Sequence, residues 1–484
     1  MPKTKIHFLA PLLMLVFLGI SYGILISLPS VSQFSLMGFI IFSMLLMFYS
    51  KSPKTIVLVF GIFLLFEPLI SLNLENINST VALGVKRLPE ALIVLFFVVT
   101  TIQLIIKQKP FVTSNIYFPF LVFVLLGVAS SIRENVPPLV ASSGLLLMIQ
   151  GFLLFMIMSN LDYKEPDIKR WFYTFLCVGI VIFLLGLVDL SFTSQFRNLL
   201  NIGHTEYRFG ILSVQSVFLH PGTFGWIMAM LTLYCLAFST TLRHRKYLFL
   251  SSSFFAGVLL SARLKPVIGI LGAILVVSTL ISWRYSKKLA IGFVVFGLIL
   301  SISVVLFTNK IVGFMMERTE SFIVSPDLQE NARLALYETS FKIARDYFPL
   351  GVGLGRFGGW ISTLYYSPMY HKYNLNSIYG LGSGPTTFTM DTHWPHILGE
   401  VGIFGLILYV LMIFYLARIT LSCFRRMDSP FLKAFSLGLL MVLMENCLEA
   451  FANPAFQNSM GCYFTFGAIG MLTAISKKQK SIID

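Results

Sequence analysis

The feature that most constrains this chain is a succession of apolar segments along almost its whole length. About fourteen of them are long enough to cross a membrane, because a helix needs about 20 mostly apolar residues to span the hydrocarbon core. The predicted spans lie near 7–29, 34–50, 55–73, 90–106, 116–132, 140–159, 171–191, 223–240, 247–261, 266–282, 288–308, 396–417, 431–450 and 457–475. Charged residues make up only 12% of the chain, about half the share that is usual in soluble domains. We therefore predict an all-α polytopic membrane protein.

Only one connection between these segments is long, and it spans residues 309–394. Within it, apolar residues recur at helical spacing from Leu328 onward, with charged residues on the other faces, which predicts an amphipathic helix. Ser325 and Pro326 are typical of a helix start, and Pro349 predicts that the helix ends just before it. One long connection with many polar and charged residues, in an otherwise apolar membrane protein, is typical of enzymes that act on lipid-linked substrates.

The distribution of unusual residues divides the chain into three parts. Residues 1–204 have short polar connections and form the predicted N-terminal scaffold of membrane helices. Residues 205–420 contain the long connection, further polar turns and a glycine-rich return to the membrane, and form the predicted catalytic region. Residues 421–484 supply the last membrane helices. Within the catalytic region, residues 361–390 are rich in Tyr, Ser, Gly and Thr, which predicts a mobile or substrate-ordered loop.

The net charge of +15 does not indicate a nucleic-acid-binding protein, because the cations are spread over successive loops rather than gathered in one patch. Most of them follow the positive-inside rule. Lys51 and Lys54, for example, mark one predicted inner segment. This pattern places both termini in the cytoplasm and the long connection outside.

A small set of cations breaks the positive-inside pattern, and these residues are the first candidates for function. Arg208 lies in a predicted outer loop, and Arg263 and Lys265 lie together in the very short turn 261–266. A guanidinium suits bidentate contact with phosphate, and a lysine acts as a point charge, so these cations fit a lipid-linked diphosphate. The alternatives are anchoring to lipid headgroups or an ion pair with an acid such as Glu449. Weaker candidates of the same kind are Lys86, Arg87, Arg133 and Arg197.

A second group of candidates lies where the chain re-enters the membrane. Asp391, His393 and His396 could gather around a sugar hydroxyl, with Asp391 or His393 as the general base. Glu400 follows His396 at i+4, so these two could instead form an ordinary helix pair. Helix capping by Asp391 or Thr392 is a further alternative. We predict no metal site and no cofactor; the five cysteines contain no C-x-x-C pair.

Between these groups lies the glycine-rich turn Pro349-Leu350-Gly351-Val352-Gly353-Leu354-Gly355-Arg356-Phe357-Gly358. It contains a GxG pattern, but it does not follow a strand of a βαβ unit, which argues against a dinucleotide site. Glycines let backbone N–H groups turn tightly and approach an anion or another helix. The alternative is a plain turn that ends the preceding helix.

Several segments of the catalytic region together resemble the O-antigen ligases and Wzy-type polysaccharide polymerases. They are Asn331-Ala332-Arg333 through Asp346 with the glycine-rich turn, Leu398-Gly399-Glu400-Val401-Gly402-Ile403-Phe404-Gly405-Leu406, Tyr207-Arg208-Phe209-Gly210 with His220-Pro221, and Ser261-Ala262-Arg263. The resemblance covers residues 205–420. It implies a helical membrane fold of GT-C type in the bacterial inner membrane. It also implies metal-independent glycan transfer between lipid-diphosphate sugars.

One departure from the family pattern bears on the activity. Counted back from Gly402, the His-Asn pair of the ligases would fall on Asp391-Thr392, and some polymerases carry an acidic residue there. The resemblance therefore favours a polymerase, which would transfer a glycan from undecaprenyl diphosphate to a sugar hydroxyl of another lipid-linked repeat unit, with inversion. The implied substrate-binding residues are Arg208, Arg263, Lys265, Arg333, His396 and Glu400, and the implied catalytic residues are Asp391 and His393.

Two alternatives to the polymerase are kept. An O-antigen ligase would use the lipid A core as its acceptor. A transporter or flippase belongs to another class, but the chain lacks the paired, interrupted helices in two related halves that transporters show. The expected partners are undecaprenyl-diphosphate-linked oligosaccharides, membrane lipids and a chain-length regulator, and no nucleic acid.

Overall fold

The computed structural model describes residues 51–112, 114–203, 205–208, 211–281, 285–292, 294–299, 328–384 and 388–483. The first two predicted spans, 7–29 and 34–50, lie outside these residues. So does the predicted helix start at Ser325 and Pro326, together with the rest of 309–327.

The described chain is almost entirely helical. In the first part the helices are α1 (Pro53–Glu75), α2 (Ser79–Ile106), α3 (Tyr117–Arg133), α4 (Pro138–Asn160), α5 (Glu165–Ser191) and α6 (Thr193–Leu199). A two-stranded hairpin follows, with β1 (Tyr207–Arg208) and β2 (Ile211–Leu212), and then α7 (Pro221–Leu242), α8 (Arg245–Leu260) and α9 (Leu264–Leu280). The later helices are α10 (Leu328–Asp346), α11 (Trp360–Leu364), α12 (Pro368–Lys372), α13 (Trp394–Arg426), α14 (Pro430–Glu449), α15 (Ser459–Cys462) and α16 (Ala468–Ile483), with a π-helical turn at Tyr463–Gly467.

Eight spans among the described residues are long and apolar enough to cross a membrane, and α3 and α9 are shorter apolar helices. The predicted spans from 55–73 to 266–282, and from 396–417 to 457–475, each coincide with described helices. Of the predicted span 288–308, residues 288–292 and 294–299 are described, and they are helical. The prediction of an all-α polytopic membrane protein is therefore confirmed.

The bundle is built around three strongly buried spans. In the most apolar stretch of α7, α14 and Ser459–Ser476, 83%, 78% and 94% of the residues are buried. Helix α7 packs against both α8 and α14. Large apolar side chains remain exposed on α2, α3 and α9, such as Ile102, Leu121 and Leu275. A bilayer would cover these side chains, because lipid tails are as apolar as they are.

Successive spans alternate in direction, so their connections fall at two ends of the bundle. One end carries the ion pair between Lys54 and Asp167, at 2.7 Å. The other end carries the hairpin β1–β2, the turn between α8 and α9, and the described part of the long connection. We call this second end the loop end, and most of the candidate residues lie there.

The long connection is folded over much of its described length. Helix α10 confirms the predicted amphipathic helix and ends at Asp346, three residues before Pro349. Residues 361–390, predicted as a mobile or substrate-ordered loop, instead form α11, α12 and a 3₁₀ turn over their first half. Met369, Tyr370 and Leu381 are buried there in a small separate core. These apolar side chains, interspersed among the polar ones, anchor the segment.

Helix α13 breaks at Gly402, where φ is +83° and ψ is −175°. The break frees two carbonyl groups of the preceding turn, and the glycine-rich turn donates to both. The Val352 N–H reaches the Gly399 oxygen at 2.9 Å, and the Gly353 N–H reaches the Glu400 oxygen at 3.1 Å. A Cβ at Gly402 would lie 2.6 Å from the Leu350 backbone. The glycines thus allow the turn to pack directly on the broken helix.

Candidate functional site

Four cations from three separate segments meet at the loop end, and we call them the cation cluster. Arg208 lies on the hairpin, where it pairs with Ile211 of β2. Arg263 precedes α9 and Lys265 lies in its first turn. Arg333 lies on α10. These cations are close enough to repel one another. Burial and the charges of Arg208 and Arg333 lower the pKa of Arg263. Burial and the charges of Arg333 and Arg263 likewise lower the pKa of Lys265.

Glu206 joins two of these cations. Its carboxylate accepts from Arg208 Nε at 2.6 Å and from Arg263 Nη2. Burial raises the pKa of Glu206, but the two guanidiniums outweigh burial and hold the pKa below its ordinary value. The alternative prediction that Arg263 pairs with an acid is therefore confirmed, but the acid is Glu206 rather than the suggested Glu449.

Asp391 contacts the last member of the cluster. Arg333 Nη2 donates to Asp391 Oδ2 at 2.7 Å, and the two side chains are 18% and 24% exposed. Helix α13 begins at Trp394, its N-cap residue is His393, and no side chain caps it. The capping alternative for Asp391 and Thr392 is therefore wrong. The carboxylate of Asp391 lies within the cluster and partly open to solvent.

The cluster contains unused hydrogen-bond donors. Among the described residues, Arg263 Nε and Arg333 Nε are shielded from solvent and have no hydrogen-bond partner. Burial, and next the charge of Arg208, lowers the pKa of Arg263 to about 10, so its guanidinium stays charged at neutral pH. Burying an N–H donor of a charged group without a hydrogen-bond acceptor costs free energy. This arrangement fits an anion that would supply the missing acceptors.

Lys265 is held in place by the backbone of a distant segment. Its ammonium donates to the carbonyl of Ala452, in the connection between α14 and α15. The charges of Asp391 and Glu449 also act on it. Lys265 therefore ties α9 to the α14–α15 connection and adds a point charge beside the two arginines.

His220, the N-cap residue of α7, lies beside Arg263. Its Nδ1 accepts the N–H of Gly222 at 3.0 Å, and Arg263 Nη2 lies 3.2 Å from its Nε2. Burial, and next the charge of Arg263, lowers the pKa of His220 from 6.5 to about 4. The imidazole is therefore neutral at physiological pH and adds no positive charge to the cluster.

His393 and His396 lie behind the cluster rather than in it. His393 is fully buried, and its ring packs against the rings of Trp394, Tyr409 and Phe456. The side-chain amide of Gln457 lies within 3.4 Å of Nδ1 of both histidines. Contact of these buried rings with a substrate would require the surrounding side chains to move.

Glu400 is the anion that the glycine-rich turn binds. Its carboxylate accepts the N–H of Gly355 at 2.6 Å and the N–H of Phe357 at 2.8 Å. His396 Nε2 lies 3.2 Å from the same carboxylate, so the predicted i+4 helix pair is present. Glu400 is fully buried, so its carboxylate contacts backbone N–H groups rather than solvent. The turn is thus both a helix stop and an internal carboxylate site.

Sequence reasoning missed three residues of this arrangement: Glu206, His220 and Gln457. Glu206 lies two residues before Arg208 in the sequence, which was a usable signal. His220 was part of a quoted motif, but its approach to Arg263 depends on the packing of α7 against α9. Gln457 had no signal, because its role depends on two histidines more than sixty residues away.

The fold and the site together define a polytopic membrane protein with a charged, partly open cluster at one end. Residues 247–410 match the sequence model of the O-antigen ligase family, Wzy_C. This match confirms the resemblance and supports a membrane enzyme of O-antigen or polysaccharide processing. No curated protein gives a significant match to the chain.

Proposed function

We propose that this chain is a polysaccharide polymerase that transfers a glycan from undecaprenyl diphosphate to a sugar hydroxyl of a second lipid-linked repeat unit. The observation that carries the proposal is the pairing of Arg333 with Asp391 inside the cation cluster. The carboxylate of Asp391, the proposed base, thus lies in a cluster whose arginines have unused donors. Such an arrangement suits a reaction in which one group loses a proton while another leaves as an anion.

In this proposal the donor diphosphate binds to Arg208, Arg263, Lys265 and Arg333. The four cations exceed the two acids that contact them, Glu206 and Asp391, so the cluster keeps positive charge for an anion. Arg263 Nε and Arg333 Nε would each donate to a phosphate oxygen. Fixed donors of this kind stabilise the charge that develops on a leaving group.

The transfer itself is a single displacement. Asp391 accepts the proton of the acceptor hydroxyl, whose oxygen attacks the anomeric carbon of the donor sugar. The bond between that carbon and the diphosphate oxygen breaks, and its electron pair stays on the diphosphate. Attack from the face opposite to the leaving group inverts the anomeric configuration. Because His393 is fully buried in an aromatic environment, we assign the base role to Asp391.

The buried residues behind the cluster act as positioning residues. Glu400 orders the glycine-rich turn, and His396 and Gln457 join it to the start of α13. Rigid support of this type holds a reactive group in its productive geometry. We therefore propose that His396 and Glu400 act on substrate binding through Asp391 rather than by direct contact.

The membrane arrangement is part of the same proposal. The described helices would belong to a GT-C-type bundle of about fourteen spans, with both termini in the cytoplasm. The loop end would face the exterior of the bacterial cytoplasmic membrane, where lipid-linked repeat units are presented. A chain-length regulator would be a further partner there.

Polymerisation and ligation differ in their acceptor, and this difference gives the test. Purified protein supplied only with undecaprenyl-diphosphate repeat units should form a ladder of longer lipid-linked glycans on a gel. Asp391→Asn should lower the rate by about 10²–10⁴, the usual cost of losing a general base. Products that form only after addition of lipid A core would establish the O-antigen ligase instead. Normal turnover of Asp391→Asn would place the base elsewhere.

A further inference from the structure

A second feature of the loop end is a cavity of about 380 Å³. Helices α1, α2 and α4 form one wall, and residues from the loop-end connections form the other. Its volume lies within the range of about 300–1,000 Å³ that is usual for ligand sites. None of its charged side chains belongs to the cation cluster.

The charged residues of this cavity are unusual for a membrane bundle. Glu67 of α1 and Glu90 of α2 line it together with Lys86 and Arg87, and the indole of Trp360 completes the wall. Ionisable groups within spans are expensive and usually serve a function. A lipid tail would need none of these polar groups.

One carboxyl oxygen in the cavity lacks a hydrogen-bond partner among the described residues. Glu90 Oε2 is shielded from solvent and has no hydrogen-bond partner among the described residues. Lys86, by contrast, already donates to Glu75 at 2.9 Å, outside this cavity. A carboxyl oxygen without a partner can accept a hydrogen bond, so Glu90 suits a ligand that donates. The Trp360 ring, 38% exposed, offers an apolar face beside it.

The cavity adjoins the cation cluster through neighbouring residues. Its wall includes Leu219, next to His220, and Met390, next to Asp391. It also includes Gln457, which contacts His396. A molecule in the cavity would therefore lie against residues that adjoin His220 and Asp391 in the sequence.

We propose that this cavity binds the acceptor sugar, with hydroxyl groups donating to Glu67 and Glu90 and a sugar face lying on Trp360. A sugar hydroxyl both donates and accepts, so it suits a wall that mixes carboxylates with Lys86 and Arg87. This inference rests on the proposed glycan transfer, because it assigns the second substrate of that reaction. It makes Glu90 a specificity-determining residue for the acceptor.

The test measures the two substrates separately. The probes are the lipid-free repeat-unit oligosaccharide, released from the host glycan, and undecaprenyl diphosphate, each titrated by calorimetry into full-length protein in nanodiscs. Glu90→Gln, which keeps the shape of the side chain, should weaken oligosaccharide binding about tenfold or more. It should leave undecaprenyl diphosphate binding unchanged. Glu338→Gln, which alters an exposed carboxylate of α10, is the matched control and should change neither.

Trp360→Ala gives a second, independent measurement and should also weaken the oligosaccharide selectively, whereas Trp360→Phe should largely retain binding. Equal oligosaccharide affinity in wild type and Glu90→Gln would overturn the inference. So would a loss confined to undecaprenyl diphosphate. Since calorimetry needs no turnover, failure of the polymerisation assay would contradict the proposed function without affecting the binding result.

Discussion

Two kinds of arginine–carboxylate pair occur at the loop end, and they differ in how completely their hydrogen bonds are made. Arg197 of α6 donates to both oxygens of Asp189, at 2.8 and 3.1 Å, and the side chains are 2% and 0% exposed. Asp189 also accepts the N–H groups of Gln215 and Ser216. Arg333 and Asp391 are joined through Arg333 Nη2 and Asp391 Oδ2 at 2.7 Å, and this pair remains partly exposed.

The difference separates a structural pair from the pair that we propose is functional. The Asp189 carboxylate ties α5 and α6 to the segment that leads into α7, and both of its oxygens are occupied. In the cation cluster, Arg263 and Arg333 retain shielded donors without partners among the described residues. A satisfied network rigidifies a fold, whereas an unsatisfied charged donor is costly unless a ligand completes it. The comparison predicts opposite responses to mutation.

The largest effect on stability is expected at the pair of Arg197 with Asp189, whose hydrogen bonds are complete. Arg197→Ala would leave Asp189 as a buried, uncompensated charge, a change that typically costs about 3–5 kcal/mol. Arg197→Lys should also destabilise, because lysine cannot make the two parallel contacts. The measurement is thermal unfolding of purified protein in detergent, compared with Arg263→Ala. If Arg197→Ala and Arg263→Ala melt at the same temperature, the distinction between the two pairs is invalid.

Much of the fold was predictable because its signals are local. A run of about 20 apolar residues must form a helix in a membrane, since backbone groups have no other partners there. The helical spacing from Leu328 likewise predicted α10. Residues 361–381 were misjudged because their polar composition hid a few core side chains, such as Tyr370, that pack only in the tertiary structure.

The site was predictable in part for a similar reason. Arg333 was singled out by the resemblance. Arg263 stood out because it lies in a short turn on the predicted outer side, where cations are disfavoured, and this signal can be read without knowing which residue the cation contacts. The same signal also selected Arg197, which is buried in a structural pair. Telling the two apart requires knowledge of which acid each arginine meets. The resemblance implied a substrate role for Glu400. Its contacts with the N–H groups of Gly355 and Phe357 could not be predicted, because these residues lie more than forty positions earlier in the chain.

The next effect concerns binding rather than stability. Arg263→Ala and Arg333→Ala should each weaken undecaprenyl diphosphate binding about 10- to 100-fold, because a hydrogen bond to a charged group contributes about 1.5–3 kcal/mol. Lysine at either position should rescue only part of the affinity. Calorimetric titration of each variant gives the measurement. Arg133→Ala is the matched control, since Arg133 is a loop-end cation that contacts Glu134 and the Tyr347 carbonyl instead.

Unchanged affinity in both alanine variants would contradict the assignment of the cluster to the diphosphate. Weakening in Arg133→Ala as well would show that affinity follows the overall charge of the loop end. Only a loss confined to Arg263 and Arg333 supports a site with defined donors.

The smallest effect is expected at His220, and it is a dependence of the melting temperature on pH. The pKa of His220 in the folded protein is about 4, below its ordinary value of 6.5. As pH falls through this window, the unfolded chain takes up the proton first, so the folded state loses stability. His220→Gln retains an acceptor for the Gly222 N–H but cannot be protonated. Its melting temperature should therefore fall less than that of the wild type between pH 7 and pH 4.5. Because part of the imidazole is exposed, water screens the charge and the difference should be a few degrees at most.

His371→Gln, at an exposed histidine of α12, is the control. A wild-type melting temperature that falls no more than that of His220→Gln would show that burial and the charge of Arg263 do not hold His220 neutral.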